Sequence, residues 1–146
     1  MSDDYATDDW LQAIFGEYYD PCPLYGLEAG KDGLSSEDSW NYADYDGVFI
    51  NPPYSKPKPW VKKAIDLHKA NQTCIKWTEQ NCDCFRCRAW PLSGDLIVLL
   101  LKHDSSTEAY RMLHEAGAHF LLINGRLRYK TNRPANFPSM LAVLSI

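Results

Sequence analysis

Apolar residues fall in short blocks separated by polar, glycine-bearing and proline-bearing stretches, and the spacing inside each block predicts its element. Residues 8–15, DDWLQAIF, set Trp10, Leu11, Ile14 and Phe15 at helical spacing behind acids suited to a helix N-terminus. EYYDPCPLYG, residues 17–26, reads as a short strand that ends in a turn at Asp20-Pro21. Residues 26–46 are rich in Gly, Ser, Asp and Asn and read as loop. GVFI, residues 47–50, is a continuous apolar strand of the buried kind. In WVKKAIDLHKA, residues 60–70, Trp60, Val61, Ala64, Ile65 and Leu67 or His68 lie near one helical face. DLIVLLL, residues 95–101, is the strongest strand signal and predicts burial on both faces. TEAYRMLHEA, residues 107–116, reads as a helix stopped by Gly117. HFLLI, residues 119–123, and MLAVLSI, residues 140–146, are further strands, joined by the basic stretch GRLRYKTNRPANFP. Strand and helix alternate, so the expected class is α/β with a largely parallel sheet. One domain, residues 1–146, is expected, with an insertion at residues 72–92 where the pattern breaks.

Composition allows a buried core, since 45% of the 146 residues are hydrophobic. No apolar run is long enough for a transmembrane helix. The acidic start MSDDYATDD lacks the regions of a signal peptide, so a cytoplasmic location is expected. The net charge of −4 conceals an asymmetry: residues 1–50 carry a balance of −11 and residues 51–146 a balance of +7. A basic half suits phosphates, and an acidic pocket suits a cationic or hydroxyl-rich cofactor. A solvated surface with no partner explains the charge about as well.

The stretch Phe49–Tyr54, FINPPY, ends a buried strand in an unusual way. In open α/β sheets ligands sit at the carboxyl ends of strands. Two prolines fix φ and push the preceding residues towards extended geometry, leaving a rigid loop. That loop would present the Asn51 side-chain oxygen and the Pro52 carbonyl as preplaced acceptors. Acceptors for both hydrogens of a planar amino group would favour a pyramidal nitrogen with a localised lone pair. Tyr54 could stack on the ring that bears the amine. Orientation and preorganised acceptors would then carry the catalysis without a nucleophilic side chain. A plain strand-to-loop turn with a packed tyrosine is the competing explanation.

In this context the chain resembles the phage-type, Dam-like DNA N-6-adenine methyltransferases, which use S-adenosylmethionine. The resemblance rests on blocks in order: YDPCPL at 19–24, DGL at 32–34, Trp40, FINPPYS at 49–55, Trp60 with KKA at 62–64, LLLKHDSST at 99–107, His114, GRLRY at 125–129 and FPSML at 137–141. It covers most of the chain outside residues 72–92. It implies a Rossmann-like methyltransferase fold with Asn51, Pro52, Pro53 and Tyr54 as the catalytic loop. It also implies that Asp20, Pro21 and Cys22 border the cofactor, with Asp32 an acid candidate for the ribose hydroxyls. Thr7 falls where related enzymes often place a cofactor-contacting Thr-Pro, although Asp8 follows it here. The glycine-rich loop of other methyltransferases is missing, with DPCP in its place, and Lys102 stands where relatives commonly have proline. A small buried turn residue is as good an account of Cys22 as a cofactor contact.

Cys74, Cys82, Cys84 and Cys87 have the spacing C-x7-C-x-C-x2-C. Four thiolates can close a tetrahedral zinc site, and so short and polar a segment needs a staple to pack. A disulfide or unrelated thiols are the alternatives. Arg86 and Arg88 interleave with these cysteines near Trp77, Phe85 and Trp90, a composition that suits contact with nucleic acid. Arg126, Arg128, Lys130 and Arg133 form a second basic stretch that could reach a phosphate backbone or simply be solvated. None of the four histidines has the spacing of a hydrolytic triad.

The expected activity is methyl transfer from S-adenosylmethionine to the N6 amine of adenine in double-stranded DNA, with the base flipped out of the duplex. Structural zinc is a second candidate cofactor, and pairing of two copies is left open. Cytosine N4, RNA adenine and a glutamine side chain also offer planar amines. A different class of protein is a zinc-containing nucleic-acid-binding module on an inactive methyltransferase-like scaffold.

Overall fold

The computed structural model describes residues 8–22, 33–34, 40, 47–53, 55–72, 96–128 and 137–145. In chain order its elements are α1 (Asp9–Phe15), β1 (Gly47–Ile50), α2 (Lys58–Gln72), β2 (Leu96–Lys102), α3 (Glu108–Glu115), β3 (His119–Leu122) and β4 (Ser139–Ser145). Each agrees with a predicted segment to within a few residues. α2 reaches Gln72, so the first residue of the expected insertion belongs to that helix, and residues 73–92 lie outside the described residues.

The caps explain where α3 begins and ends. The Thr107 hydroxyl accepts from the Tyr110 N–H at 3.1 Å, satisfying a donor that the first turn would orphan. At the other end Gly117 takes φ of +83°. The Ala118 N–H then reaches the Leu113 carbonyl at 3.0 Å and the Gly117 N–H the His114 carbonyl at 3.1 Å. These crossed bonds form a Schellman cap, which needs the glycine.

The strands form one sheet in the order β1-β2-β4-β3. β1 and β2 are parallel, in register from Gly47↔Leu96 to Ile50↔Leu99. β4 is antiparallel to β2 (Leu96↔Ser145 to Lys102↔Ser139) and to β3 (His119↔Val143 to Leu122↔Met140). The sheet is therefore mixed, which corrects the expectation of a largely parallel one. β1, β2 and β3 run the same way, but β4 enters between β2 and β3 in reverse, so both of its ladders are antiparallel. Apolar periodicity is blind to strand direction. The strand expected near Tyr19 is reduced to one parallel bridge, Tyr19↔Val48, beyond β1.

Both faces of the sheet are covered. On one, Val48, Ile50, Ile97, Leu99, Leu101, Met140, Ala142 and Leu144 pack with Trp60, Val61, Ala64 and Ile65 of α2, with Ala109 and Leu113 of α3, and with Trp40. On the other, Phe49, Val98, Leu100 and Leu141 meet Leu11 of α1 and Leu127. Two-sided cover is the physical reason that β1 and β2 are apolar without alternation. Each such large side chain contributes roughly 1.5–3 kcal/mol by leaving water. β3 is the exception, with Leu121 57% and Leu122 66% exposed. No helix among the described residues is long and apolar enough to cross a membrane.

Candidate functional site

β1, β2 and β3 end at the same edge of the sheet, because β4 is antiparallel to its two neighbours. Four segments meet the sheet along that edge. The first is Asp20–Cys22. Tyr19 donates its N–H to the Gly47 carbonyl at 2.8 Å and accepts from the Phe49 N–H at 2.9 Å, so the chain leaves Tyr19 alongside the end of β1. The Asp20 carboxylate then accepts from the Cys22 N–H at 2.8 Å, an Asx-type turn that holds Pro21 inward, where it is fully buried.

The second segment is Asn51–Pro53, which continues β1 directly. Asn51 and Pro53 are half-buried and Pro52 is buried. The Pro53 carbonyl accepts from the Lys56 N–H at 3.1 Å, closing a turn into α2. Among the described residues no backbone N–H donates to the Pro52 carbonyl. Tyr54 lies outside the described residues.

The third segment follows β2. The His103 N–H donates to the Pro138 carbonyl at 2.9 Å. Asp104 accepts from the hydroxyl and the N–H of Ser106, and these bonds hold its carboxyl below the usual range. The fourth follows β3. Gly125 takes φ of +74°, turning the chain through Arg126 to Leu127, which is buried beneath the sheet beside Leu11. The Arg128 N–H donates to the Asp8 carboxylate at 2.8 Å and so ties this segment to the start of α1. An open depression of about 530 Å³ lies here, lined by His103, Leu122, Ile123, Asn124, Gly125, Arg126 and Pro138.

The motif residues are thus brought together in part. Asp20, Pro21, Cys22, Asn51, Pro52 and Pro53 share the edge, and Arg126 and Arg128 follow β3 along it. Thr7, Asp32, Tyr54, Cys74, Cys82, Cys84, Cys87, Arg86, Arg88, Lys130 and Arg133 lie outside the described residues. Among the described residues no three His, Cys, Asp or Glu side chains are grouped to hold a metal.

Cys22 is a neutral group in this setting. Burial pushes its thiol up to about 12, with a further push from the Asp20 carboxylate. A thiol so protonated is a poor nucleophile and a poor metal ligand, which leaves packing in the turn as its visible role.

One cluster was not assembled by sequence reasoning. The Gly33 carbonyl accepts from Trp40 Nε1 at 2.6 Å and from Lys63 Nζ at 2.7 Å. Trp40 stacks on Trp60 with centroids 6.3 Å apart. Gly33 also abuts Pro21 so closely that a side-chain carbon would overlap the Pro21 carbonyl. Gly33, Trp40, Trp60 and Lys63, drawn from three of the blocks, therefore converge on the back of the Asp20–Cys22 turn. Their order along the chain carried a resemblance but no hint of contact.

Searches against protein-family models, curated proteins and solved structures found no match.

Proposed function

We propose that this protein transfers a methyl group from S-adenosylmethionine to the N6 amine of adenine in DNA. The observation that carries the reading is that Asn51–Pro53 continues directly from β1 while the Tyr19 bridge leads the Asp20–Cys22 turn off beside the same strand end. A methyl donor and an amine acceptor must meet within a few ångströms, and two loops from adjacent strands can bring them there.

The residues present fit the cofactor. The Tyr19 bridge sets Asp20 beside the end of β1, and its carboxylate puts there a negative charge suited to a sulfonium. S-adenosylmethionine, when bound, supplies a methyl group made electrophilic by a sulfonium. The rest falls to the chain. The Asn51 side-chain oxygen and the Pro52 carbonyl would accept the two amine hydrogens and favour a pyramidal nitrogen with a localised lone pair. The cofactor would give up the methyl group and leave as a neutral thioether, and the extra proton on nitrogen would pass to water. Pro52 and Pro53 keep both acceptors in place, so little reorganisation remains at the moment of reaction. Tyr54 is proposed to stack on the flipped base.

The finer fold belongs to the same proposal. What supports a Rossmann-like sheet is that β1, β2 and β3 run the same way and end at one edge, with helices between them in sequence. The sheet edge that carries Asn51 also carries the segment Arg126–Arg128, which supports a phosphate backbone as the neighbour of the target amine.

Methyl transfer from labelled S-adenosylmethionine to unmethylated DNA, followed by base-resolution mapping, tests the reading. Label on adenine N6 is expected. Label on cytosine, on RNA alone or on protein would transfer the same chemistry to another amine. Calorimetry showing no cofactor binding would end the methyltransferase reading and favour an inactive binding module.

A further inference from the structure

The Gly33 carbonyl is held by two donors of different kinds. Trp40 brings a neutral indole N–H at 2.6 Å and Lys63 an ammonium at 2.7 Å. The same ammonium lies 5.1 Å from the Trp40 ring centroid, within range of a cation–π contact. Trp40 is 1% exposed and takes φ of +50°, a region that a bulky residue enters only when its surroundings hold it there. The surroundings do so: the indole is bonded at its N–H, stacked on Trp60 and covered by the Lys63 charge.

These contacts connect the two halves of the proposed site. Trp60 and Lys63 stand in the first turns of α2, the helix entered directly from the Asn51–Pro53 loop. Gly33 packs against the Pro21 carbonyl, in the turn that stands beside the end of β1. Trp60 closes the far side, where a side-chain carbon on Gly33 would come within 2.8 Å of its ring. A path of direct contacts therefore runs from the ammonium of Lys63 through the Gly33 carbonyl to Pro21. An apolar side chain could fill the same space, but it could not donate to the carbonyl or fix its direction.

We propose that Lys63 is a positioning residue of the methyl-transfer site: its ammonium, acting through the Gly33 carbonyl and the Trp40 ring, sets the Asp20–Cys22 turn against the Asn51–Pro53 loop. The proposal rests on the methyltransferase reading above.

Two variants separate position from bulk. Lys63→Met keeps the apolar stem and loses the donor. Lys63→Arg keeps the charge and the donors. Each is compared with wild type in three measurements: alkylation of Cys22 in cofactor-free protein, followed by mass spectrometry of its peptide; Kd for S-adenosylmethionine by calorimetry; and kcat for methyl transfer at saturating cofactor. Loss of one charge-assisted hydrogen bond predicts that Lys63→Met weakens cofactor binding about tenfold, with kcat changing less than Kd. Cys22 should alkylate several-fold faster, and Lys63→Arg should restore both values. Ile65→Val, a core change in the same helix, controls for general loosening and should leave Cys22 and Kd as in wild type. An unchanged Cys22 rate or an unchanged Kd in Lys63→Met, beside a wild type that binds cofactor, overturns the role of Lys63 alone. Equal losses in the Met and Arg variants overturn it too. A wild-type protein that binds no S-adenosylmethionine overturns the methyltransferase reading, and the positioning role with it.

Discussion

Tyr19 pairs with Val48 through a single parallel bridge, with its N–H on the Gly47 carbonyl and its carbonyl on the Phe49 N–H. Those two bonds decide where the chain emerges beside β1, and hence which residues can face Asn51. One bridge is little backbone pairing, so the turn after it needs support from packing. That support comes from Pro21 and Gly33.

Gly33→Ala is expected to destabilise the fold by about 1–3 kcal/mol, because the new methyl meets backbone as well as an indole ring and neither can move far. Gly117→Ala gives the contrast. It has φ of +83° and nothing within 4 Å of a new methyl, so it should cost only the left-handed backbone strain, about 1–2 kcal/mol. Urea unfolding of both variants checks the pair. Cofactor affinity should fall for Gly33→Ala and hold for Gly117→Ala.

Native Cys22 is expected to be slow to alkylate at pH 8, because burial and the Asp20 carboxylate keep the thiol protonated up to about 12. In the unfolded chain the same thiol ionises near 9.0. Folded protein then binds more protons than unfolded protein between those values, so stability should decline as the pH rises above about 9. Cys22→Ser, compared with wild type by urea midpoint at pH 7.5 and pH 10, should show a smaller decline. Parallel declines would mean that the thiol is not the cause.

His68 gives the opposite dependence. It is 4% exposed, its Nδ1 has no hydrogen-bond partner among the described residues, and burial holds its pKa below the ordinary 6.5. The folded state keeps the ring neutral while the unfolded state takes up a proton, so stability should fall as the pH drops through 6.5 towards the folded value. His68→Leu removes both the titration and the unpaired nitrogen. Its stability at pH 5.5 relative to pH 7.5 should fall less than that of wild type. Exposed carboxylates such as Asp104 and Glu108 also titrate in acid, but they do so in both proteins and cancel in the comparison.

If Arg126 touches a phosphate, Arg126→Ala should weaken DNA binding about equally for all sequences and reduce the slope of log K against log salt by about one unit. Binding isotherms at several salt concentrations measure this. An unchanged slope would return Arg126 to the solvated surface. For residues 74–87 the expected result is one zinc per chain by metal analysis. Less than about half an equivalent would favour free thiols or a disulfide.

Much of the fold was legible because local signals agreed. Gly117 marked the end of α3 by chemistry that acts within one turn, and the unbroken apolar run of β2 announced cover on both faces. The reversal of β4 was not legible, since Met140, Leu141 and Ala142 would alternate identically in either direction. The bridge at Tyr19 was read as a strand because apolar and aromatic residues there suggested more pairing than one residue makes. The site divides in the same way. Asn51, Pro52 and Pro53 could be read because prolines restrict their own neighbours. The bond between Lys63 and Gly33 joins residues thirty positions apart and leaves no periodicity to read.

The place of β4 also bears on how the protein is made. It follows every other described element in sequence, yet it fills the gap between β2 and β3. On the ribosome β3 therefore emerges before β4, the strand it pairs with among the described residues, and β2 waits with one ladder complete. Until residues 139–145 leave the exit tunnel, the backbone of β3 and the open side of β2 stay unpaired and attractive to chaperones. A premature stop just before Ser139 should accordingly yield aggregated or degraded chain rather than a partly working fragment.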